Sequence, residues 1–110
     1  SCGAITGSST ITATSTMTAT NFILSSDERL KQFIVPLKSE YIDINYKEFE
    51  LKSDIGQKRY GVIAQQLQVK YPELVRVDKD GMLSVAYIDL LIKEVAYLKD
   101  KVFELERRLN

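Results

Sequence analysis

Two side chains near the first quarter of the chain have types and spacing suited to nucleophilic chemistry. They are Ser26 and Lys31, in the stretch Leu24-Ser25-Ser26-Asp27-Glu28-Arg29-Leu30-Lys31. A serine hydroxyl is a weak nucleophile until a base takes its proton, and in a chain with no histidine a lysine amine is the available base. Five residues is not a same-face helical spacing, so inside one helix the two would diverge. The pair works if Ser26 lies at or before a helix cap and Lys31 sits inside the helix, because helical side chains lean toward the N-terminus. A free lysine is almost wholly protonated at pH 7. The chemistry therefore demands surroundings that favour the neutral amine, either a packed, oligomeric interior or a neighbouring cation such as Arg29. The electrophile nearest to Ser26 is the carbonyl of Ser25. Attack there forms an ester through a five-membered ring, and water then cuts the chain once, between Ser25 and Ser26.

The same residues have a purely structural reading. Ser25 followed by Glu28 spells a capping box, and Asp27 and Glu28 in a first turn suit the helix dipole. On that reading Ser25 to Ile34 is the start of a helix. The two readings are compatible, since a cap holds the serine where a lysine one turn on reaches it.

Composition narrows the alternatives. The chain has 110 residues with 15 basic and 15 acidic side chains, so it lacks the long-range attraction of a basic domain for nucleic acid or anionic membrane. One cysteine, Cys2, excludes an intrachain disulfide. The absence of histidine removes Ser-His and Cys-His catalysis and the common zinc sets, so neither metal nor cofactor is expected. No run approaches the roughly 18 apolar residues of a membrane span, and no signal pattern opens the sequence, which reads as soluble and made in a reducing compartment.

Three zones must position the pair. Residues 1–24 contain no Asp, Glu, Lys or Arg, and from Ile11 to Asn21 threonine alternates with other residues. Period-two alternation of β-branched residues predicts extended β structure with no core of its own, either a flexible Ser/Thr linker or the end of a β-fibre wound with sister chains. Residues 26–87 read as a small mixed α and β zone. Tyr41 to Tyr46 alternate in strand fashion, "LKSDIGQKR" is a polar turn or protruding hairpin, and Tyr60 to Ala64 is a buried-strand run. "QQLQVKY" is a short helix stopped by Pro72, and "ELVRVDKDGMLSVAY" is a second hairpin. Residues 88–110 keep a heptad register, with Ile88, Val95, Val102 and Leu109 at a and Leu91, Leu98 and Leu105 at d. Glu94 and Lys101 at g face Lys99 and Glu106 at the following e, as in a parallel homo-oligomer. The competing reading is an amphipathic helix packed on its own domain.

Ser26-Asp27-Glu28-Arg29-Leu30-Lys31, Gly61-Val62-Ile63-Ala64-Gln65, Pro72-Glu73-Leu74-Val75 and Asp80-Gly81-Met82-Leu83-Ser84-Val85-Ala86-Tyr87, followed by heptads, together resemble the C-terminal intramolecular chaperone domain of bacteriophage tail fibres, tail spikes and endosialidases. The resemblance implies an α+β homotrimer. Its β-fibre end would be residues 1–25, its chaperone and self-cleaving serine peptidase residues 26–110, and its coiled coil residues 88–110. It implies that the domain registers three fibre chains and then releases itself before Ser26, with Ser26 as nucleophile, Lys31 as general base and Asp27 and Arg29 in support. Assembly would take place in the host cytoplasm, the upstream fibre ending in the virion tail. A non-catalytic trimerisation tip and the processing module of a membrane-bound transcription factor are the alternatives.

Overall fold

A computed structural model describes residues 10–13 and 15–109; Cys2, Thr14 and Asn110 lie outside the described residues. The chain divides into two compact units, Ser1–Ile34 and Val35–Asn110, each described by itself.

In the first unit the described residues before Asp27 form neither helix nor strand and are exposed. A threonine-rich segment alone has no ladder partner and no core, so water takes its backbone groups. The helix expected from Ser25 to Ile34 is reduced to a single 3-10 turn, Glu28–Leu30. Its cap is Asp27, not Ser25. Lys31 already has extended dihedrals (φ −117°, ψ 154°), and Phe33 takes the left-handed φ of 55°. Two β-branched residues, Ile34 and Val35, then precede Pro36, which disfavours helical geometry just before it.

The second unit contains two antiparallel hairpins and two helices. Strands β1 (Lys47–Leu51) and β2 (Asp54–Gly61) are joined by the two-residue turn Lys52-Ser53. The register slips near the tip, where Glu50 pairs with Lys58 but Leu51 pairs with Asp54. Gly56 absorbs that bulge at φ 97°, and its N–H donates to the Glu50 carboxylate at 2.6 Å. The polar stretch predicted as a turn in a protruding hairpin or loop is thus a hairpin, with all but Lys52 and Ser53 of it in strand. Of the run Tyr60 to Ala64, only Tyr60 and Gly61 are strand, and Tyr60 is exposed.

Helix α1 (Ala64–Lys70) ends before Pro72, which opens a 3-10 turn, Pro72–Leu74. Strands β3 (Val75–Val77) and β4 (Leu83–Val85) form the second hairpin in the expected place. Its loop is fixed by the Asp78 carboxylate, which accepts from the N–H groups of Asp80 and Met82, and by Gly81 at φ 81°. Helix α2 (Tyr87–Leu109) follows at once.

The segment Tyr41 to Tyr46 shows the expected alternation in burial, Ile42 buried and Ile44 half-buried, but it is not a strand. No neighbouring strand pairs with it. Its backbone is held instead by Asp43 N–H donating to the Tyr71 hydroxyl (2.9 Å) and by a tight turn from Ile44 N–H to Ile42 C=O (3.0 Å).

Among the described residues the interior consists of Ile42, Val62, Leu67, Leu74, Val75 and Leu90, with Ile44, Tyr71, Leu83 and Val85 against it. α2 joins this core on one side. Leu90 is completely buried, Lys93 reaches Glu40 (3.5 Å) and Glu73 (3.9 Å), and Glu94 accepts from the Tyr46 hydroxyl (2.6 Å). Partial burial, and then that bond and the charge of Glu94, raise the Tyr46 phenol to about 12. Tyr97 meets Tyr41 edge-on, with ring centroids 5.7 Å apart.

A latch ties the start of α2 to the end of β2. The Tyr87 hydroxyl accepts from Val62 N–H at 3.0 Å, and Gly61 leaves the space it occupies, since a Cβ there would overlap that hydroxyl. Gly61→Ala is therefore expected to displace Tyr87 and destabilise the fold by about 1–3 kcal/mol, and Tyr87→Phe, which removes the hydroxyl that accepts from Val62 N–H and donates to Val62 C=O, by about 0.5–1.5 kcal/mol. Leu67→Ala, which opens a cavity in the interior, should cost about 2–5 kcal/mol. Urea midpoints at constant protein concentration measure all three.

Candidate active site

The turn Glu28–Leu30 is a small rigid frame. Its 3-10 bonds run from Leu30 N–H to Asp27 C=O and from Lys31 N–H to Glu28 C=O, both 3.0 Å. At its head Asp27 caps the turn, Oδ1 accepting from Arg29 N–H at 2.9 Å. The Arg29 guanidinium returns to the same carboxylate through Nε (3.2 Å) and Nη2 (2.8 Å), a two-pronged charge-assisted contact. The Arg29 side chain, and then its backbone N–H, hold the Asp27 carboxyl below the usual carboxylate range. A carboxylate with a lowered value stabilises the folded turn above its unfolded value of 3.8 and loses that contribution as pH falls through the lowered one.

Ser26 stands just before this cap and Lys31 just after the turn. The frame has only three helical residues, so the lysine does not point around a helix; it folds back across one turn. Its Nζ donates to Ser26 Oγ at 2.6 Å. A spacing that would separate two residues within an α-helix thus brings them together across a shorter element. Both side chains are exposed in the single chain.

Ser25, which carries the nearest carbonyl, directly precedes Ser26 and lies outside the turn. Arg29 is not set beside the lysine as a bare cation, as the sequence reading entertained; its charge is matched by Asp27. Phe33, two residues beyond Lys31, combines left-handed dihedrals with 88% exposure, a local strain that no packing around the side chain explains. Sequence reasoning did not single it out, and only its place between a turn and a proline hinted at an unusual backbone.

The heptad residues lie in the second unit. Ile88, Leu91, Val95, Leu98, Val102, Leu105 and Leu109 form one continuous face of α2, each between 51% and 86% exposed. Tyr46 and Tyr87, whose hydroxyls fasten α2 to its own body, were not singled out from the sequence either. Among the described residues no group of three His, Cys, Asp or Glu side chains could hold a metal ion, and no helix is long and apolar enough to cross a membrane.

Comparison with known proteins bears on this arrangement. No curated protein and no solved structure matches the chain. Residues 26–76, a little under half of the sequence, match the model of a peptidase family described as chaperone of endosialidase. The match opens on Ser26 and runs through the first hairpin and α1 as far as Arg76 in β3. Over the segment from Ser26 to Arg76 the chain is therefore similar to the chaperone of endosialidase family.

Proposed function

We propose that this chain is the intramolecular chaperone of a phage tail fibre or spike, and that it trimerises, registers the upstream fibre and cuts itself free between Ser25 and Ser26. The observation that carries the reading is the 2.6 Å hydrogen bond from Lys31 Nζ to Ser26 Oγ at the first position of the family match. The seven bare heptad side chains support the assembly half of it.

The chemistry is a single turnover. In its neutral form Lys31 removes the Oγ proton as Ser26 Oγ attacks the Ser25 carbonyl carbon, giving a five-membered tetrahedral ring whose oxyanion is met by nearby backbone N–H groups. The ring collapses with cleavage of the Ser25 C–Ser26 N bond, and the proton passes to the departing amine. Residues 1–25 are then held on Ser26 Oγ as an ester. Water deprotonated by Lys31 attacks the ester carbonyl, releasing a Ser25 carboxylate and restoring the Ser26 hydroxyl.

In the single chain Ser26 and Lys31 are both exposed. Sister chains supply the cover, so cutting waits for assembly, which occurs in the host cytoplasm before the fibre joins the virion. The exposure of both side chains also favours a second reading, a trimerisation tip that stays attached and in which the pair merely stiffens a turn.

Denaturing gels and intact mass separate the two. The expected products are fragments of 25 and 85 residues (110 − 25 = 85), with an N-terminal serine on the larger. Ser26→Ala and Lys31→Ala should each lower the cutting rate by at least about 10²-fold. A wild-type chain that stays whole while trimeric would sink the proposal and leave the tip. Leu98→Asp places a charge in the heptad core and is expected to abolish trimer and cleavage together; rapid cutting by that variant as a demonstrated monomer would refute the coupling.

A further inference from the structure

We propose that the apolar groove beside Tyr87 receives Ile92 of a neighbouring copy of this chain, so that each globular body grips the next chain's helix. The inference rests on the parallel assembly proposed above and specifies a contact within it. The groove lies where the base of the first hairpin, the start of α1 and β4 converge; Tyr60, Ile63, Leu83 and Tyr87 are among its apolar lining, and Arg59, Gln65 and Ser84 add polar groups to it. Tyr60 and Ile63 are among its exposed members.

The occupant follows from register. In a parallel in-register coil each g side chain meets the e side chain five residues on in the next chain. Along α2 the pairs are Tyr87 with Ile92, Glu94 with Lys99, and Lys101 with Glu106. The second and third are opposite charges. The first is apolar, and it falls where α2 leaves the globular body. Ile92 is 55% exposed, although the equivalent e positions of the next two heptads are charged. Tyr87 is not a free g side chain either. Its hydroxyl accepts from Val62 N–H beneath Gly61, which fixes the ring as a wall of the groove. A neighbour's Ile92 that meets Tyr87 therefore meets the groove as well.

The contact is heterologous, groove of one chain to side chain of the next, and the common axis of a parallel in-register coil is what would close it as a ring. It registers the bodies as well as the helices.

The test uses full-length chains in which Cys2→Ser removes the native thiol. Chains carrying Ile63→Cys are assembled with chains carrying Ile92→Cys under distinct tags, oxidised and run on non-reducing denaturing gels; Leu98→Cys chains report helix pairing alone. The expected result is a two-chain band bearing both tags. Leu83→Cys on the opposite wall replaces Ile63→Cys in a second mixture, in case the first variant folds poorly. No mixed band from either wall, while Leu98→Cys chains link, would overturn the groove contact and leave the coiled coil standing. Failure of Leu98→Cys to link as well would overturn both.

Discussion

α2 has apolar side chains on two faces and one small body in which to bury them. Leu90 and Tyr97 at c, with Lys93 and Glu94 beside them, turn toward that body, where Leu90 is fully enclosed and the polar pair finds Glu40, Glu73 and Tyr46. This leaves the a and d residues outside. A side chain of this kind gains about 1.5–3 kcal/mol on full burial, so covering even half of a seven-residue stripe rivals the whole stability of a small domain, about 5–15 kcal/mol. The single chain has no way to collect that energy. A helix packed on its own domain and a helix packed on sister chains were competing readings of one pattern, and α2 has room for both because they use different sides.

The rest of the second unit is arranged around that division. The latch from Tyr87 to Val62 fixes the angle at which α2 departs and the place where the first hairpin begins. The hairpin itself carries almost no buried surface; every residue of β2 before Gly61 is exposed. A two-stranded ribbon of this sort is marginal alone, and its root in the core, through Val62, is what anchors it. The bulge at Gly56 adds twist near the tip, a feature that discourages edge-to-edge pairing with stray strands.

The elements legible in the sequence were those whose signal is local and repeated. The heptads of α2 and the Asp78–Gly81 turn announced themselves through spacing and turn chemistry, and Pro72 marked the end of α1. Tyr41 to Tyr46 misled because alternation reports which side chains are buried, and here they are buried without a strand partner; a tyrosine hydroxyl and a tight turn do the work of a ladder. The stretch Asp54 to Arg59 left hairpin and loop both open, because its polarity carries no strand signal; it is one strand of a hairpin, since a ribbon wet on both faces needs no apolar alternation. Tyr87 was within a recognised motif, but its partner is the backbone of a residue 25 positions away, and no local pattern encodes that.

At the Ser26–Lys31 pair, the sequence pointed to two side chains that the structure brings within hydrogen-bond reach, but it misjudged the frame that does so. A full α-helix from Ser25 would have carried Lys31 past the serine, because at 3.6 residues per turn a side chain five residues on has rotated well beyond it. The chain avoids this by stopping after one tight turn. Lys31 is extended, Phe33 is left-handed, and Pro36 bars any continuation of the helix, so the lysine stem lies back along the turn with its amine on Ser26 Oγ. Asp27 takes the capping role assigned to Ser25. That leaves the serine next to the bond in question without a structural duty of its own, and Arg29 closes over the capping carboxylate, so its charge is not spent near Lys31. The cap and the pair are two uses of one short turn, and brevity is what makes the second use available.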